Sequence, residues 1–216
     1  MLLPLPRLFL IRHGETEWSK SGKHTGRTDI PLTDHGITTI RDVVPKVVGT
    51  GKLISPDSLG YVFVSPRQRA SKTFDLLFEN APEKPPHEVT EDVREWDYGD
   101  WEGLKPAEII ERQPGWFIWT DGCPNGESPD EMSARVDKVI EKVRTIHHQY
   151  YVEGKGRRDV MIIAHGHFSR VFIARWARAP LPLGYHFKVQ PAGISLLSYN
   201  HHLDLPVVAG LNLHAY

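Results

Sequence analysis

Short apolar runs punctuate the chain, and three of them stop abruptly at polar or turn-forming residues. Leu8-Phe-Leu-Ile11 ends at Arg12-His13-Gly14, Tyr61-Val-Phe-Val64 at Ser65-Pro66, and Asp159-Val-Met-Ile-Ile-Ala164 at His165-Gly166-His167. Continuous runs of this kind predict strands buried on both faces, as in a mainly parallel sheet. Ile194 to Tyr199 predicts a late strand of apolar and small residues. Between the runs the spacing turns helical. Thr33 suits the N-cap of a helix reaching 43–48, which Pro45 is expected to kink or shorten. Pro66 suits the first turn of a helix in which Ala70, Thr73, Phe74, Leu77 and Phe78 keep helical spacing. The clearest helix begins at Ser128-Pro-Asp-Glu131, a capping box with proline at the first helical position. Met132, Val136, Val139, Val143 and Ile146 then form one apolar stripe. Another helix is predicted from the His165 strand end through Trp176.

The stretch 15–32 reads as a polar loop, 80–91 as a proline-rich surface connection, and 96–103 as a loop of aromatics, acids and glycines. No repeat, low-complexity segment or linker divides the chain. Strands alternating with helices predict one three-layer α/β/α domain over residues 1–216, with a mostly parallel central sheet.

Composition narrows the function classes. Among 216 residues, 26 Lys+Arg balance 27 Asp+Glu for a net charge of -1, which argues against a nucleic-acid partner. Cys123 is the single cysteine, so neither an internal disulfide nor a four-thiolate zinc site is expected, in keeping with a reducing compartment. The apolar opening is interrupted by Pro4, Pro6 and Arg7, with no small-residue cleavage site after it. No apolar run approaches the roughly 18 to 20 residues of a membrane helix. A soluble, cytoplasmic protein with no membrane partner is the expectation. Histidine, at 12 residues, is the generously used type that needs an explanation.

Two strands end in the same manner, with a histidine beside a glycine. Ligands of open α/β sheets bind outside the carboxyl ends of strands, so His13 and His165 are expected to meet in one pocket. A third strand end adds Arg67 and Arg69 at a helix start, where guanidiniums and backbone N–H groups both favour an anion. Arginine forks match phosphate oxygens, and a neutral imidazole can attack phosphorus. Neighbouring arginines should depress the imidazole pKa and keep it free as a nucleophile. The leaving alkoxide then needs a proton. Glu95, in Arg94-Glu-Trp-Asp-Tyr-Gly99, is the best acid, since a bound phosphate dianion would keep it protonated. Tyr98 is either a substrate contact or a packing residue, and His167 either a substrate contact or a helix-start packing residue. His147, His148, His201 and His202 are expected to face solvent. The Trp116-Phe-Ile-Trp119 cluster is expected to pack, with a wall of the site as its other reading.

Competing chemistries lack their residues. No His-Glu-x-x-His or other ligand spacing suggests a metal, and no Gly-x-x-x-x-Gly-Lys-Ser/Thr loop suggests ATP or GTP. No pair of aspartates one residue apart suggests an aspartyl-phosphate enzyme, and no Gly-x-Ser-x-Gly elbow an acyl hydrolase. Pro129, not arginine, stands six residues after Cys123, so a cysteine-phosphatase loop is absent. Neither a metal nor a cofactor is expected.

Leu-Ile-Arg12-His13-Gly14-Glu-Thr, Thr25-Gly26, Ser65-x-x-x-Arg69-Ala70-x-x-Thr73, Glu95-x-x-Tyr98-Gly99 and His165-Gly166 occur in the order seen in the histidine phosphatase superfamily, which the chain resembles from about residue 8 to 200. The resemblance implies a phosphoglycerate mutase-like fold, His13 as the phosphorylated nucleophile, Arg12, Arg69 and His165 as the phosphate pocket, and Glu95 as the proton donor. It further implies contacts to the phosphate or the rest of the substrate from Ser19, Thr25, Gly26, Arg67, Tyr98 and Gly166. Many relatives carry asparagine where Ser19 stands. Glu-Trp-Ser-Lys at 17–20, Glu95-Trp-Asp-Tyr-Gly and Trp119-x-x-Gly-Cys-Pro-x-Gly-Glu127-Ser resemble a branch including a mycobacterial acid phosphatase and the fungal sedoheptulose-1,7-bisphosphatase. The stretch from Trp176 to Gly193 is short where the fungal enzyme has a long insertion, and Arg27 stands where mutases carry tryptophan. The expectation is a metal-independent phosphomonoesterase acting on a small phosphorylated metabolite, such as a sugar phosphate, through a phosphohistidine. A sugar bisphosphatase and a phosphoglycerate mutase are the alternatives within the enzymes, and a phospho-ligand-binding regulatory protein is the alternative outside them. A homodimer is expected by analogy alone.

Overall fold

The computed structural model describes residues 3–213. Three strands, β1 (Arg7–Arg12), β2 (Leu59–Val64) and β4 (Asp159–Ala164), coincide with the three abrupt apolar runs. They lie side by side and parallel in a sheet of order β3-β2-β4-β1-β5-β6, with β3 (His87–Val89) as one edge. β5 (Ile194–Asn200) and β6 (His202–Leu213) run antiparallel on the other side. Alternate residues of one strand go to opposite faces. Leu8, Leu10, Val160 and Ile162 pack on one side, and Phe9, Ile11, Met161 and Ile163 on the other. Both faces are therefore covered, and β4 is buried along its whole length. One layer holds α2 (Asp34–Val47) and α3 (Gln68–Leu77), the opposite layer α6 (Pro129–Tyr151) and α7 (Gly166–Trp176). The three-layer architecture is as expected.

Several local expectations change. The 15–32 loop contains a short helix, α1 (Glu17–Ser21), closed by a Thr16–Ser19 capping box. Helix α2 continues through Pro45 to Val47, although the proline cannot donate to the Arg41 carbonyl one turn back, and the helix ends two residues later. Pro66 lies outside α3 rather than in its first turn, because Arg67 is the N-cap and Asp29 Oδ1 accepts the Gln68 N–H at 2.7 Å. The proline-rich 80–91 stretch supplies strand β3. The 104–121 region adds α4 (Pro106–Arg112) and α5 (Ile118–Asp121), and the 96–103 loop holds only one 3-10 turn. His147 is not at the surface. It is fully buried under β1, with Nε2 donating to the Arg7 carbonyl at 3.2 Å and Nδ1 accepting from the Tyr199 hydroxyl at 2.9 Å. Among the described residues no helix is long and apolar enough to cross a membrane.

Candidate active site

Strands β1, β2 and β4 all deliver their carboxyl ends to one place. The His13 N–H donates to the Ala164 carbonyl at 2.9 Å, and the His13 carbonyl accepts from Ala192 N–H at 3.1 Å, so the backbone beneath the ring is pinned from both sides. His13 Nδ1 lies 2.7 Å from the Gly14 carbonyl oxygen. Because a carbonyl can only accept, that nitrogen carries the proton and Nε2 keeps its lone pair. His13 and His165 meet edge to face, ring centroids 5.1 Å apart. Burial first, then the charges of Arg69 and Arg12, hold His13 well below the usual histidine pKa. The arginine effect expected from the sequence is present, with desolvation as the larger cause.

Behind His13 most of the donors are already committed. Arg69 is fully buried and donates Nε to His165 Nδ1 at 3.3 Å, Nη1 to the Thr28 carbonyl at 2.8 Å, and Nη2 to the Thr25 and Gly26 carbonyls, both at 3.0 Å. Since arginine only donates, His165 Nδ1 accepts, and its Nε2–H donates to Ser65 Oγ at 2.7 Å. Burial and the Arg69 charge hold His165 neutral, its pKa well below the ordinary value. Arg12 reaches the cleft itself. Its Nη1 holds the Val189 carbonyl at 2.8 Å, and its buried Nε has no protein partner.

Glu95 sits at the start of α7. Its Oε1 accepts from Trp96 N–H at 2.9 Å and Phe168 N–H at 2.8 Å, and its Oε2 from His167 N–H at 3.0 Å. The carboxyl thus caps the helix that follows His165, and Oε2, with a single N–H partner, is the less committed oxygen. The loop carrying it is clamped from α6. Arg135 donates to the Asp92 carbonyl at 3.1 Å and the Arg94 carbonyl at 2.9 Å while pairing with the buried Glu127 at 2.7 Å.

These groups open into a cleft of about 590 Å³ lined by Arg12, His13, Ser19, Thr25, Glu95, Tyr98 and Gly166, and further out by Lys23, His24, His167, Arg170 and the 185–190 segment. The outer part is aromatic. His24 stacks on Tyr98 at 4.4 Å with 11° between planes, and Tyr98 Oη lies 2.7 Å from His167 Nδ1. Arg170 sits over the Trp119 ring at 5.0 Å and donates to the Gly184 and Tyr185 carbonyls at 3.0 and 2.6 Å.

A nucleophile-ready imidazole flanked by arginines and a carboxyl at the ends of parallel strands is the arrangement the sequence motifs predict. The family model described as histidine phosphatase superfamily (branch 1) matches residues 8–212. The chain belongs to this superfamily. It is 39% identical over 183 residues to a sedoheptulose 1,7-bisphosphatase of Saccharomyces cerevisiae, covering 79% of this chain and 67% of that protein. It is 38% identical over 208 residues to an acid phosphatase of Mycobacterium tuberculosis, covering 96% of this chain and 94% of that protein. The solved structure of an open reading frame product of Mycobacterium tuberculosis superposes with a TM-score of 0.82 at 36% identity, covering 98% of this chain and 99% of that one.

For this histidine phosphatase the sequence-predicted residues divide into two groups. His13, Arg12, Glu95, Ser19, Thr25, Tyr98 and Gly166 share the cleft. Arg69, His165 and Gly26 form the layer behind it, and Gly26 is locked by its N–H donating to Glu102 at 2.9 Å. Arg67 is turned toward Glu91, 3.3 Å away, and does not line the cleft. Ser19 lines the cleft while its hydroxyl donates to the Thr16 carbonyl at 2.9 Å. Trp116 and Trp119 are buried beside His24 and His167, so the tryptophan cluster backs the aromatic wall. Sequence reasoning missed His24 and Arg170. Arg170 had a signal, standing one helical turn after Gly166 and so on the same face of α7. His24 had only its place before Thr25-Gly26.

Proposed function

We propose that this chain is a metal-independent phosphomonoesterase of small phosphorylated metabolites, built as one domain, in which His13 is transiently phosphorylated. The observation that carries the reading is the Nδ1–H of His13 bound to the Gly14 carbonyl, which leaves a neutral Nε2 lone pair facing the cleft beside Arg12 and Glu95. In the first step Nε2 forms a bond to phosphorus, the ester P–O bond breaks, and the leaving oxygen takes the Glu95 proton. In the second, water attacks the phosphorus, gives a proton to Glu95, and the P–N bond breaks to release inorganic phosphate. Arg12 meets the transferring oxygens directly. Arg69 and His165 hold His13 in place and neutral, and Arg69 keeps one uncommitted Nη1–H for the same charge.

The substrate is a phosphate ester of a small metabolite, in the cytoplasm. The curated relatives that act on sugar bisphosphates and as acid phosphatases support a sugar phosphate. Lys188 in the outer cleft favours a bisphosphate as the second reading, since it could meet a second anion. The test is phosphate release from phenyl phosphate in the presence of a chelator. We expect full activity with chelator present and a loss of roughly 10³-fold or more in His13→Ala. Undiminished release by a folded His13→Ala protein overturns the proposal. A panel of sugar phosphates, sugar bisphosphates and phosphoglycerates then separates the readings, net isomerisation without phosphate release marking a mutase.

A further inference from the structure

His24 is a polar side chain with an unmet need. Its backbone is strapped to the 103–104 turn, the N–H donating to the Leu104 carbonyl and the carbonyl accepting from Gly103 N–H, both at 2.9 Å. Its ring is fixed by three neutral aromatic neighbours: stacked on Tyr98, and edge-on to Trp116 at 6.0 Å and His167 at 5.7 Å. Yet Nε2 is buried without any hydrogen-bond partner while the residue lines the cleft that holds His13 and Glu95. Buried polar atoms in native proteins are nearly always bonded, so an orphan on a ligand cleft points to a partner brought by the ligand. The buried His147, by contrast, has both nitrogens bonded within the protein and faces no cleft.

The neighbouring proton positions point the same way. Arg170 Nη1 approaches His167 Nε2 at 3.5 Å and can only donate, so the His167 proton is on Nδ1 and is given to Tyr98 Oη at 2.7 Å. The Tyr98 hydroxyl hydrogen is thereby left free for another acceptor. A free O–H donor and an orphan imidazole nitrogen thus belong to two stacked rings on one wall.

We propose that His24, together with Tyr98, is a specificity-determining pair that reads a hydroxyl group on the organic part of the substrate. The inference rests on the phosphatase reading above and names what the outer cleft selects. A hydroxyl fits because it donates and accepts at once, matching Nε2 in either tautomer and the Tyr98 O–H. Burial lowers the His24 pKa to about 4, so the ring offers no charge to a second anion. Two of the cleft's cations are engaged with other rings, Lys23 over Trp18 at 5.5 Å and Arg170 over Trp119, and Lys188 belongs to the 185–190 segment rather than to the rings that touch His24. A carboxylate or second phosphate at this wall would be set against neutral rings.

The experiment compares kcat/KM for glycerol 1-phosphate with that for propyl phosphate, which lacks the hydroxyls, in the wild type and in His24→Phe, which keeps a flat ring. We expect the wild type to prefer glycerol 1-phosphate and the preference to fall about 10-fold in His24→Phe. His24→Gln, whose amide returns a polar atom near the Nε2 position, restores it, and His24→Ala serves as the loss variant if His24→Phe fails to fold. An unchanged ratio in a folded His24→Phe or His24→Ala that still hydrolyses both esters overturns the inference and leaves the phosphatase reading standing. With 3-phosphoglycerate as a third substrate, a loss in His24→Phe confined to that ester overturns the hydroxyl assignment in favour of an anion. A wild type that releases phosphate from neither ester overturns the phosphatase reading itself, and the inference with it.

Discussion

The inner and outer halves of the cleft are built on opposite plans. At the inner end the groups around His13 are held by hydrogen bonds to the protein: Arg69 donates to three carbonyls and His165, His165 donates to Ser65, and Glu95 accepts from three backbone N–H groups. At the outer end the wall is a pile of rings, with the His24 Nε2 atom unpartnered and Arg170 holding the 184–185 backbone. The contrast teaches where chemistry and selection reside. A group that must be aimed to a fraction of an ångström is held by backbone, and a surface that must fit different organic groups is held by packing.

Replacing Glu95 with Gln removes the proton donor and should lower kcat/KM by about 10³-fold on alkyl phosphates, with a smaller loss on aryl phosphates whose leaving groups need less protonation. Equal losses on both would place Glu95 in binding rather than proton transfer. Arg135→Met leaves Glu127 buried without its close partner and unclamps the loop carrying Glu95. A stability loss of about 3 kcal/mol is expected in denaturant titrations. No loss would show that the inner rigidity does not come from α6. Arg170→Met, at the outer end, should raise KM about 10-fold and change kcat far less, because it loosens only the lip. A kcat collapse there would erase the distinction between the two halves.

Depressed histidine pKa values occur in both halves and also in the core, so a low pKa alone does not mark the site. Burial lowers His147 to about 4, although it only ties α6 to β1 and β5. Its folded value lies below its unfolded value near 6.5. The unfolded chain therefore binds the extra proton, so this contribution to stability is complete above about pH 6.5 and is lost as pH falls toward 4. A pH series of melting temperatures should show the loss in the wild type and a flatter profile in His147→Gln. At the inner end, Arg69→Met should raise the His13 pKa, measured by NMR titration, because the Arg69 charge is one of the groups depressing it. A static pKa would leave burial and the Arg12 charge as the causes.

Legibility followed the same division. Strands β1 and β4 were plain because both their faces are buried, which requires an unbroken apolar run. Their ends were the site, so His13 and His165 could be read from the same pattern. Strand β3 was hidden by its three residues, none fully buried, and β6 by its mixed, half-exposed sequence around Pro206. His147 was misread because His148 beside it does face solvent, and only the register of α6 against β1 separates them. His24 was beyond reach for a different reason. Its neighbours Tyr98, Trp116 and His167 come from three distant parts of the chain, and an unpartnered nitrogen is a property of the assembled wall. The fit of Arg67 to Glu91 likewise depends on the 3-10 turn at 91–93, which no motif announces.

The most direct test of the central claim is to quench the enzyme during turnover of phenyl phosphate and locate the phosphoryl group by mass spectrometry under alkaline conditions that preserve phosphohistidine. The account predicts an acid-labile phosphoryl group on the peptide containing His13, absent from His13→Ala. Phosphorylation of another residue, or of none in an enzyme shown to accumulate an intermediate, would contradict it.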